Sequence, residues 1–206
     1  MLPIDIPPGT TGRALLESVL PAAHRELVPP SPGGAGDAIT MSVRVDGGDS
    51  FHYELRGEGV TVRPGEAPAH LWMKVDAATL ERFVADWSGP KRYLPTFTPR
   101  GGVRLLTDPR VLKRLIMVSG RIELALPDFE GGRAAIVVGA HGGKKKPIDP
   151  AEPDATIEAK MSLFDALLAG RVSPDEALAS DGVTLRGKKL VAMQLAFALA
   201  PFFPVG

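Results

Sequence analysis

From Ile39 to Val45 apolar and polar residues alternate, and they do so again from Phe51 to Arg56. Strict alternation sends successive side chains to opposite faces of a half-buried strand. Asp46-Gly47-Gly48-Asp49-Ser50 lies between the two runs and predicts a hairpin turn. Val60 to Arg63 predicts a third strand. Leu71 to Val75 predicts a fourth, with Leu71, Met73 and Val75 on one face and Trp72 and Lys74 on the other. The period changes at Asp76, the expected cap of a helix carrying Leu80, Phe83, Val84 and Trp87. Ahead of the first strand, Leu15, Leu16, Val19 and Leu20 mark a helix over 13–27, with Pro21 as a kink or break.

A loop with Tyr93 and Phe97 then leads to a strand at 103–106 and a helix from Asp108-Pro109 to Val118. Next, the order of elements repeats. Arg121–Leu126 and Arg133–Val138 predict a hairpin, Gly139–Pro153 a loop and Ala155–Ala159 a strand. Ser162 starts a helix closing at Gly170, and Ser173 with Glu176 has the spacing of a capping box. Val183–Arg186 predicts a strand and Lys188–Ala200 a final helix. At an offset of eighty-three, Ile39, Met41 and Val43 fall on Ile122, Leu124 and Leu126, and Tyr53 and Leu55 fall on Ile136 and Val138. A chain that states one strand-rich, helix-terminated pattern twice is expected to be a duplicated module.

Composition narrows the function classes. The 206 residues are 44% apolar and carry 24 basic and 24 acidic residues, a balance that argues against a nucleic-acid partner. Cysteine is absent, which removes disulfides, thiolate chemistry and cysteine metal sites. No basic segment followed by an apolar run opens the chain, and the most apolar stretch, 190–203, is shorter than the roughly 20 residues of a membrane span. These features lead us to expect a cytoplasmic protein.

Candidate chemistry is sparse. His24, His52, His70 and His141 show no metal-ligand spacing, and His52 and Glu54 share a strand face expected to meet solvent. The run from Gly139 to Lys146 lacks the spacing of a phosphate loop and the Ser/Thr after its lysine, so it is read as a solvated loop. Its three lysines leave open a weak contact with an anionic membrane surface. No nucleophile triad or paired carboxylates can be defended, and neither an enzyme nor a cofactor is expected. Trp72 falls on the polar phase of its strand, where an interface between the two units is preferred to ligand stacking. The final helix, with Leu190, Val191, Met193, Leu195, Phe197 and Leu199, has almost no polar face. Such a helix is either buried on both sides or borders something apolar.

The stretch from Asp154 to Phe203 resembles the sterol carrier protein 2 (SCP2) domain. The residues that carry the likeness are a segment over 154–162, a short helix ending in Gly170-Arg171, the Ser173-Pro174 helical turn, and the strand Val183–Arg186 followed by Gly187. The earlier copy departs from that pattern, with Ala85-Asp86-Trp87 where the family helix ends in Gly. The resemblance implies an α+β fold of two SCP2-like units, each a mixed, mainly antiparallel sheet covered by helices, divided as 1–119 and 120–206. It also implies a non-enzymatic lipid carrier with an apolar cavity between sheet and helices, its ligand a fatty acid, acyl chain, sterol or quinone-like molecule. Expected lining residues are Leu80, Phe83, Leu112, Ile116 and Met117 in the first unit. In the second they are Phe164, Leu167, Val191, Met193, Phe197 and Phe203. The alternative is an accessory scaffold with filled cavities and a protein partner. If one cavity binds lipid, it should be the one beneath the final helix.

Overall fold

The computed structural model of the chain describes residues 6–27, 38–56, 59–87, 113–168 and 171–199. Eight strands form one sheet: β1 (Ile39–Asp46), β2 (Ser50–Arg56), β3 (Gly59–Pro64), β4 (Leu71–Asp76), β5 (Ser119–Leu126), β6 (Ala134–His141), β7 (Ala155–Ala159) and β8 (Val183–Gly187). Their order is β3-β2-β1-β4-β6-β5-β7-β8. The pairs β1/β4 and β5/β7 are parallel and the others antiparallel, so the sheet is mixed and mostly antiparallel. The expected strand at 103–106, the loop containing Tyr93 and Phe97 and the side chain of Trp87 lie outside the described residues. The loop expected to begin at Gly139 starts later, because β6 runs on to His141.

The two hairpins share one register. Ile39↔Leu55, Met41↔Tyr53 and Val43↔Phe51 reappear eighty-three residues later as Ile122↔Val138, Leu124↔Ile136 and Leu126↔Ala134. The halves do not form separate sheets, however. β4 and β6 pair with each other from Leu71↔Ala140 to Val75↔Ile136. β6 therefore takes the edge of β4 that corresponds to the edge of β7 held by β8. Likewise β4 takes the edge of β6 that corresponds to the edge of β2 held by β3.

All helices whose packing is described cover the same face. Helix α1 begins as Gly12–Ala14, passes through a π turn at Leu15–Val19 and continues as Leu20–Leu27. The π turn sits just before Pro21, which lacks the N–H that an α-helix would direct at Glu17. The expected break is thus a widened turn, and the helix continues. Helix α2 (Ala77–Trp87) is capped by Asp76, whose Oδ1 accepts from the Thr79 N–H at 2.8 Å. Helix α3 (Met161–Leu168) starts where the Met161 N–H donates to Asp128 Oδ1 at 2.8 Å. The short α4 (Pro174–Ala179) carries the Ser173–Glu176 capping box read from the sequence, and α5 (Lys189–Leu199) is the final described helix.

The opposite face is polar. Across it run Arg44–Glu66, Arg63–Glu54, and Arg133 between Glu123 and Glu158. Trp72 belongs to this phase and is nevertheless 2% exposed, at the seam between the halves. Its cross-strand partner is Gly139, and any Cβ there would collide with the indole ring. The indole Nε1–H donates to His141 Nε2 at 3.2 Å. His52, expected to meet solvent, is buried. Ser42 Oγ donates to the Ala67 carbonyl at 2.7 Å and thereby turns its lone pairs to the imidazole Nδ1, 2.9 Å away. The segment after β3 closes over these side chains, which strand alternation alone does not reveal.

Candidate functional site

The halves differ in how completely their helices cover the sheet. In the first, one continuous cluster joins Leu15 and Leu16 of α1 and Leu80 and Val84 of α2 to Met41, Val43, Phe51 and Tyr53 of the strands, all buried. Gly12 lets α1 settle against α2: a Cβ there would lie 2.6 Å from Leu80 Cγ. The Gly12 N–H donates to Glu81 Oε1, and the Tyr53 hydroxyl donates to the Leu16 carbonyl at 2.8 Å. Burial pushes the pKa of that hydroxyl up, so it stays a neutral donor.

In the second half the core is divided. One cluster lies under α5 and joins Leu115, Val118, Ile122, Val191, Leu195 and Ala198. The other lies at the far end of the strands and joins Leu126, Phe129, Ala134 and Met161, with Phe83 and Phe164 against it. Between them runs a row of paired residues, Ile136, Leu124, Ile157 and Leu185, one from each of β6, β5, β7 and β8. All four sit on the helix-facing side, and all four are only half-buried. Strand spacing of about 4.8 Å makes this row roughly 14 Å long. It is a partly exposed apolar strip, with Ile136 packed against the first-half core and Leu124 and Ile157 against the cluster under α5.

The frame around the strip is firmly held. Asp154 Oδ2 accepts from the Arg121 N–H and from Arg121 Nε, both at 3.0 Å, while its Oδ1 accepts from Lys188 Nζ at 2.7 Å. These bonds to Arg121 and Lys188 hold the Asp154 carboxyl well below the usual carboxylate range. They tie the start of β5 to the entry of α5. There Gly120 lets the helix come close: a Cβ at that position would sit 2.8 Å from Val191 Cγ1.

The expected lining residues fall in different places. Leu80 is buried in the first-half core, and Val191 is buried under α5. Phe83 and Phe164, from opposite halves, meet at the same cluster, where Phe83 lies 5.0 Å from Phe129 between ring centroids. Ile116 is half-buried in a turn. Met117, Met193 and Phe197 are 64%, 48% and 69% exposed, on the outer surface. Leu112, Phe203 and the side chain of Leu167 lie outside the described residues. No group of His, Asp and Glu that could hold a metal ion occurs among the described residues. Nor is any described helix long and apolar enough to cross a membrane.

Residues 104–200 match the family model for the SCP-2 sterol transfer family. That stretch, just under half of the chain, carries the SCP2 family pattern. The fold class is the α+β arrangement expected. Members of this family are carriers of lipids and not catalysts. Among solved structures, the chain is similar to Sterol Carrier Protein 2 Like 2 from Aedes aegypti, at 22% identity over 39% of this chain and 74% of that one, with a TM-score of 0.32. The palmitated form of that protein, solved by NMR, gives 22%, 40%, 74% and 0.34. The sterol carrier protein domain 2 of Helicoverpa armigera gives 17%, 55%, 91% and 0.39. No curated protein matches the chain.

The strip lies on strands, whereas the expected lining residues lie mostly on helices. A signal for it exists in the strands. The helix-facing positions of β1 and β2 include Met41, Phe51 and Tyr53, whereas those of β5 and β6 include no aromatic residue and end in Ala134 and Ala140. Smaller side chains on the sheet leave more room under the same cover.

Proposed function

We propose that the chain is a lipid-binding protein whose ligand lies along the strip of Ile136, Leu124, Ile157 and Leu185. Lipid binding or transfer of the SCP2 type comes with the family membership of residues 104–200. The observation that carries the finer reading is the half-buried state of these four apolar residues beneath a helical layer. An apolar chain laid there removes its own surface and that of the strip from water, at about 0.8 kcal/mol per CH₂. No charged side chain lies on the strip, which suits an alkyl chain, sterol ring or quinone-like tail. The first half, with its single filled core, serves as the structural partner.

The test is saturable binding of a fluorescent fatty acid to delipidated protein, together with mass spectrometry of lipid extracted from the purified protein. Replacing Leu124 with Trp fills the strip and is expected to abolish binding while the fold persists. Absence of both co-purified lipid and saturable binding would sink the proposal.

A further inference from the structure

One end of the sheet carries an exposed surface of unusual make-up. On α5, Leu190, Met193 and Phe197 follow helical spacing and stand on the outer side, 67%, 48% and 69% exposed, opposite Val191 and Leu195. Met117 adds a fourth exposed apolar side chain. It lies beside the lysine loop, since the Gly142 N–H donates to the Val118 carbonyl at 2.9 Å and the Gly143 N–H to the Ile116 carbonyl at 2.6 Å. Leu115 and Val118 share a cluster with Val191 and Leu195, which brings this turn and α5 together.

The surround is cationic. Lys113, Arg114, Lys144 and Lys189 are exposed and make no ion pair among the described residues, while Lys145 of the same loop reaches toward His52 on the polar face. The acids of the loop are largely committed: Asp149 pairs with Arg121, and Asp154 with Arg121 and Lys188, leaving Glu152. At the other end of the strands stand Asp46, Asp76, Asp128 and Glu130. The chain has no net charge, yet these unpaired basic groups stand where its apolar side chains are bare.

We infer that this end of the molecule docks on an anionic bilayer surface. Leu190, Met193 and Phe197 enter the headgroup boundary, and the surrounding lysines and arginine meet lipid phosphates and carboxylates. An apolar stripe with a basic border is the combination that binds such an interface, because burial and electrostatic attraction act together. A second copy of this chain is the poorer occupant, since pairing through this face would bring two cationic borders together. The inference goes beyond cavity binding and does not require a loaded cavity.

The experiment is flotation of delipidated full-length protein with phosphatidylcholine vesicles, with and without phosphatidylserine. We expect flotation with the anionic vesicles, weakened by salt. Reversing two charges with Lys113→Glu and Lys189→Glu should weaken it about tenfold or more. Leu190→Ser with Phe197→Ser should remove the portion that survives high salt. Lys160→Glu, at the opposite end of the strands, should change nothing. A Phe197→Trp variant should show a blue-shifted emission only with anionic vesicles. Equal flotation with both vesicle types, or no response to the Lys113/Lys189 reversal, would overturn the docking face. So would self-association in sedimentation velocity that Phe197→Ser abolishes, or binding confined to an acidic protein. Fatty-acid binding by the same samples separates the two proposals, because docking without fatty-acid binding leaves this one standing.

Discussion

The two halves of the chain share a hairpin register and a helical layer on the same side, but they bury their strands to different depths. In the first, Phe51, Tyr53 and Met41 rise from the sheet into α1 and α2, and the core is continuous. In the second, aliphatic and small residues replace them, the cover separates into two contacts, and Leu124 with its neighbours stays half-exposed. The sheet geometry is common to both, so it is not what makes an opening. The bulk of the inward side chains, together with the closeness of the helices, decides how deeply the strands are buried.

Truncating one inward side chain in each half breaks the comparison most sharply. Phe51→Ala removes a fully buried ring and should cost about 3–5 kcal/mol, whereas Leu124→Ala, under a partly open cover, should cost about 1–2 kcal/mol. Urea denaturation of both variants checks this, and equal losses would remove the distinction. Next in size is the seam. Gly139→Ala sets a methyl group into the Trp72 ring and should cost about 3 kcal/mol, with loss of near-UV signal from the indole. Asp154→Asn, third, should cost about 2 kcal/mol by weakening the charged hydrogen bonds of Arg121 and Lys188. Its pH dependence has a definite direction. Because the folded carboxyl titrates below its unfolded value, the wild-type contribution is complete above about pH 4 and fades as pH falls below it. Asp154→Asn should flatten that acid limb.

The smallest effect belongs to His52. Burial lowers its folded pKa, so the unfolded chain takes up the proton first as pH falls. Stability of the first half should therefore decline below about pH 6.5, and His52→Gln should reduce the decline. Hydrogen exchange that follows β1 and β2 separately from β5 and β7 reads this out. A decline shared equally by all four strands would blur the contrast between the halves.

Much of the fold was legible in the sequence because strands with one apolar face announce their alternation directly. The shared offset even anticipates the hairpin registers. The Asp76 cap and the Ser173 capping box were legible too, being contacts within four residues. What alternation does not carry is the relation between distant segments. The pairing of β4 with β6 depends on which strand edges remain open, and the burial of His52 depends on the segment at Ala67 folding over it. The strip was hidden for a related reason. Whether Leu124 and Ile157 are core or lining depends on how far α5 and α3 stand apart, and no local spacing records that distance.

The β4–β6 seam has a consequence for any attempt to use one half alone. A strand edge is a row of unpaired N–H and C=O groups, and an exposed one recruits other chains. Cutting between the halves would bare the edges of β4 and β6 at once, each already matched in register to an antiparallel neighbour. Liberated halves would be sticky, and their first partner would be each other. Fusion in one chain therefore acts as protection against aggregation, by holding each half beside its own antidote during folding.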